Sequence, residues 1–72
     1  MSNRTPEQIA RDYAAMLDSV TTINVALADP AFHDRAGVLS RNVAHLELMR
    51  ARTDWTGQDM RPVDAAIAAG KV

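Results

Sequence analysis

The sequence predicts an all-α fold: a small three-helix domain in which a long antiparallel helix hairpin is followed by a short C-terminal helix. Three observations carry that expectation. Apolar residues recur three and four positions apart through two long stretches, the period of one helix face. Helix starts and stops fall between them, at Asp29-Pro30 and around Thr56. No stretch shows the apolar/polar alternation of a half-buried strand.

The first helix is expected over 6–28. Thr5 suits the N-cap, Pro6 the first helical position, and Gln8 the third, where a capping box takes Glu or Gln. Ile9, Tyr13, Met16, Val20, Ile23 and Leu27 then hold one face without a miss. Asp29-Pro30 ends the helix, because a residue before proline avoids helical angles.

The second helix is expected over 30–52, with Asp29 now as N-cap and Pro30 at its first position. Phe32, Ala36, Leu39, Val43 and Leu46 repeat the spacing. Gly37 inside this helix costs about 1 kcal/mol relative to alanine, which points to close packing or a local kink.

The third helix is expected over 57–69. With Thr56 as N-cap, Asp59 takes the third helical position and Trp55 and Met60 the two sites of a hydrophobic staple. Pro62 should bend the axis, Met60, Val63 and Ile67 keep one face, and Gly70 stops the helix.

The 72 residues make one domain, residues 1–72, with no repeat and no linker. A chain of this size buries only roughly 60% of its unfolded surface, and its core supplies no more than about 3–5 kcal/mol. Cysteine is absent, which removes disulfides, thiolate metal sites and thiol chemistry. Thirteen of the apolar residues are alanine, so the bulky core is thin and self-association is expected to supplement it. The net charge is −1 with both signs interleaved, unlike a dedicated polyanion binder. No apolar run approaches the ~20 residues of a membrane span, and "MSNRTPEQ" lacks the apolar segment of a secretory signal, so a cytoplasmic location is expected.

No pair of acid/base groups, nucleophile or phosphate loop stands out, and no cofactor, metal or small-molecule substrate is expected. Two histidines without an acidic cluster are a weak metal signal, and Glu47, two positions from His45, points elsewhere on the helix. What remains is surface. Ala10, Ala14, Leu17, Thr21 and Ala28 form a second stripe on the first helix, and Val38, Asn42, His45 and Met49 form one on the second. A third helix half as long cannot cover both. The expectation is therefore a non-enzymatic protein-protein interaction module that self-associates or docks on a larger assembly, as a phage or prophage accessory or virion component would. Leu17, Val25, His45, Leu48, Met49 and Trp55 are its candidate contacts. The alternative is a small nucleic-acid-binding regulator using Arg41, Arg50, Arg52 and Arg61. Glu47, Asp54, Asp59 and Asp64 interleave with those arginines, so ion pairs such as Arg50 with Asp54 are expected instead.

Overall fold

The computed structural model describes residues 4–52, 55 and 57–71. It contains α1 (Pro6–Ala28), α2 (Arg35–Arg50) and α3 (Arg61–Gly70), with no strand among the described residues. The all-α, three-helix architecture is as the sequence predicts.

The start of α1 is the predicted capping box. Thr5 Oγ1 accepts the Gln8 N–H at 3.1 Å, and Gln8 Oε1 accepts the Thr5 N–H at 2.9 Å. Two of the donors that a helix start leaves without partners are satisfied at once. The other end is closed from a distance. Arg35 donates from Nε to the Ala26 carbonyl at 2.7 Å and from Nη2 to the Leu27 carbonyl at 3.2 Å. Those carbonyls have no partner within the helix, and a cation there also complements the helix dipole.

The helix expected to begin at Pro30 begins at Arg35. Asp29 starts a turn, as expected of it, but the left-handed Asp34 interrupts the chain before α2. The Asp29 carboxylate accepts the Ala31 N–H at 3.0 Å, and the Asp29 carbonyl accepts the Phe32 N–H at 3.0 Å. These are bonds that an N-cap makes, but the turn they start is not continued as helix. Asp34, at φ 51°, reverses the chain in the left-handed region and stands directly before α2. Gly37 leaves room for the Asp34 side chain: a Cβ there would lie 2.6 Å from both of its carboxylate oxygens. Phe32 therefore packs on the core from the connection, and Ala36, expected on the buried face, is exposed. The helix ends at Arg50, two residues short of the expected 52.

The third helix also starts late, at Arg61 rather than 57. Asp59 folds locally, accepting the Arg61 N–H at 3.0 Å and its guanidinium at 2.9 and 2.8 Å. Pro62 consequently occupies the second helical position, where its missing N–H breaks no intrahelical bond, and the expected bend has no cause. The expected N-cap Thr56 lies outside the described residues; the observed cap is Met60, without a side-chain bond.

α1 and α2 run antiparallel, as Ser19 meeting His45 and Ala26 meeting Arg35 require. Met16, Ile23, Leu46 and Val63 are fully buried where the three helices meet, joined by Val20, Ala26, Leu39, Val43, Trp55 and Ala66. Gly70 lets the end of α3 close on this core, because a Cβ there would overlap Cγ2 of Val43. At ten residues, α3 extends about 15 Å along a hairpin whose first helix has 23 residues.

Candidate interaction surface

The six contact candidates do not share one environment. Trp55 is 6% exposed, and its Nε1 donates to the Met49 carbonyl at 3.0 Å. The indole thus ties the chain leaving α2 to that helix's last turn. Met49 is half-buried against the core. His45 is half-buried too, with Nδ1 2.9 Å from Oγ of Ser19, the one buried polar residue among those described. The pair satisfies two polar groups across the α1–α2 contact, which burial would otherwise penalise.

Leu17 is half-buried, while Val25 and Leu48 are 50% and 72% exposed. Val25 follows the fully buried Met16 by nine residues, and Leu48 follows the buried Leu39 by nine. Nine residues are about two and a half helical turns, so each side chain leaves its helix opposite the core. These two apolar side chains are on different helices, each facing away from the other helix.

The four arginines each face a carboxylate. Arg41 pairs with Asp34 at 3.2 Å, Arg50 with Asp64 at 2.8 Å and Arg61 with Asp59 at 2.8 Å, and Arg52 lies 3.8 Å from Asp12. The partner expected for Arg50, Asp54, lies outside the described residues, and Asp64 on α3 takes its place. Asp59 feels its arginine most: the Arg61 side-chain hydrogen bonds, then its backbone N–H, hold the carboxyl at about 2, below the ordinary 3.8. Positive charge on α2 and α3 is therefore locally balanced rather than gathered into one face.

A groove of about 440 Å³ opens where α3 ends. Leu39 and Val43 line its apolar part with Ala36 and Gly70, while Ser40, Arg35, Glu47 and Lys71 supply polar groups. Lys71 and Glu47 pair at 2.8 Å across it, joining the residue after α3 to α2. Sequence reasoning pointed to uncovered surface beside a short third helix, but not to this place or these residues. Ala36 and Ser40 adjoin Leu39 and Val43 on α2 at helical spacing, but the place where α3 ends against that face is not written in the hydrophobic period.

Arg4 is the other residue that periodicity passed over. It precedes the N-cap, yet its guanidinium lies 4.6 Å from the centroid of the Trp55 ring and 3.0 Å from Asp12. Tyr13, one residue beyond Asp12, donates its hydroxyl proton to the Asp59 carbonyl, so the same end of α1 also holds the approach to α3.

Among the described residues, no group of three or more His, Asp or Glu side chains is placed to hold a metal ion, and no helix is long and apolar enough to cross a membrane. No protein-family model matches the chain, and no curated protein or solved structure shows significant similarity to it.

Proposed function

We propose that this chain is a non-enzymatic protein-protein interaction module, self-associating or docking on a larger assembly through helix surfaces that α3 leaves open. The observation that carries this reading is the groove of about 440 Å³ at the end of α3, where the exposed Ala36, Ser40, Glu47 and Lys71 surround the edges of the otherwise buried Leu39 and Val43. Concave apolar surface with a few polar groups around it is where proteins receive partner side chains. Leu48 and Val25 add exposed apolar side chains of the size that interfaces bury.

Affinity capture from the native host, with the chain as bait and a Ser40→Arg bait beside it, tests this reading. Ser40 is exposed and lines the groove, so the larger cation obstructs it without touching the core. The reading expects a protein, or a further copy of the chain, retained in stoichiometric amount by the first bait and lost from the second. Nothing retained, or equal retention by both, contradicts docking at the groove.

A further inference from the structure

The groove at the end of α3 holds a positioned cation that has no carboxylate of its own. Arg35 lines one end of it, and its side chain is half-buried. Nε and Nη2 donate side by side to the Ala26 and Leu27 carbonyls at 2.7 and 3.2 Å, so one edge of the guanidinium closes α1. A guanidinium carries five N–H donors in a planar fork. The outer edge, formed by Nη1 and the second hydrogen of Nη2, bonds to none of the described residues. At the other end of the groove Lys71 is neutralised by Glu47 at 2.8 Å. Between the two ends the floor is apolar, made by Ala36, Leu39, Val43 and Gly70. From Ala36 to Glu47 the trough follows α2 for about 16 Å, so it takes a segment of chain rather than a single side chain.

An uncompensated guanidinium beside apolar surface is complementary to a carboxylate beside an aliphatic side chain. The charge-assisted pair fixes orientation, and burial of the aliphatic group supplies affinity. We propose that the groove receives an acidic-aliphatic segment of a partner protein, with an Asp or Glu carboxylate on the outer edge of Arg35 and a neighbouring Leu, Ile or Val side chain on Leu39 and Val43. The inference rests on the interaction reading above and names the chemistry of the partner. Because two carbonyls already hold Arg35, its free fork is in place before the carboxylate arrives, and little side-chain freedom is lost on binding.

The test needs no partner, so its failure is distinguishable from that of the capture experiment. The isotope-labelled full chain is titrated with acetyl-Leu-Glu amide, acetyl-Leu-Gln amide and acetyl-Ala-Glu amide, and the Leu39 and Val43 methyl and Gly70 amide resonances are followed by NMR. The expected result is saturable shifts at millimolar acetyl-Leu-Glu amide, with the Gln and Ala probes each at least about twofold weaker. Arg35→Gln should erase the preference for Glu over Gln, whereas Arg50→Gln, outside the groove, should keep it. Far-UV circular dichroism reports whether Arg35→Gln stays folded, since Arg35 also closes α1; if it does not, Arg35→Lys replaces it, and a point charge without the fork should show a smaller preference. Unmoved resonances, equal shifts by all three probes, or a Glu preference undiminished in the Arg35 variant overturn the proposal. Shifts that grow with the concentration of the chain alone would assign the groove to a second copy and overturn it as well. A partner captured at the groove without any such probe preference would leave the interaction reading standing and sink this inference alone.

Discussion

Gly70→Ala is a one-carbon substitution with opposed effects whose sign the structure decides. Glycine is the poorest ordinary helix former, so alanine gains up to about 1 kcal/mol in a helix interior. Gly70 is the last residue of α3, where only part of that gain applies. Against it, the new Cβ overlaps Val43 Cγ2, a branch of a side chain 6% exposed in the middle of α2. Forcing a methyl group into a packed contact costs typically about 1–3 kcal/mol. The net loss is about 1–2 kcal/mol, a large share of what so small a core supplies. Each kcal/mol lowers the melting temperature of a domain this size by about 4–8 °C, so a thermal melt should show a fall of about 4–16 °C. The cause can be isolated by a double-mutant cycle. Val43→Ala removes the obstructing branch, and in that background Gly70→Ala should cost nothing or stabilise the domain. A raised melting temperature for Gly70→Ala alone, or the same loss in both backgrounds, refutes the packing argument.

Trp55→Ala removes a buried indole and one of the two donors to the Met49 carbonyl, which keeps the Arg52 N–H at 3.1 Å, a loss of about 3–5 kcal/mol that should leave the chain largely unfolded by circular dichroism at room temperature; a folded variant with a cooperative melt would contradict the structural role given to Trp55. Asp59, with its folded pKa depressed to about 2, stabilises the native state above the ordinary 3.8, and that contribution is lost as pH falls through 3.8 towards about 2. The gap in melting temperature between the protein and Asp59→Asn should therefore be small and constant near neutral pH and close below about pH 3; a gap independent of pH would show that the Arg61 pair is not its source. Because Arg41, Arg50, Arg52 and Arg61 all face carboxylates, fluorescence anisotropy should show no salt-dependent binding of duplex or single-stranded DNA; binding that weakens with salt and is abolished by Arg50→Ala with Arg52→Ala would restore the nucleic-acid reading.

The fold was legible wherever a helix announced itself through both period and cap. α1 shows both: the Thr5–Gln8 box and the run from Ile9 to Leu27 place it from Pro6 to Ala28, as observed. Where one aspartate serves either a cap or a turn, local pattern does not decide. Asp29 and Asp59 both close turns, the left-handed Asp34 delays α2 to Arg35, and Pro62 falls in the first turn of α3. Gly70 read only as a helix stop, since its contact with Val43 requires knowing how α3 lies against α2. The candidate surface was harder still. Val25 and Leu48 were readable as outward residues from the helix period, and the structure leaves them exposed. The Ser19–His45 pair and the Arg4–Trp55 stack join residues far apart in sequence, and neither partner's local pattern names the other.

The central claim is that this chain works by associating, with itself or with a host protein. Fluorescence-detected sedimentation velocity of the labelled chain, run from nanomolar to tens of micromolar in buffer and again in native host extract, tests it most directly. The account predicts a boundary faster than the monomer in at least one of these series, returning to the monomer position for the Ser40→Arg chain. A single monomeric boundary at every concentration, in buffer and in extract alike, would contradict it.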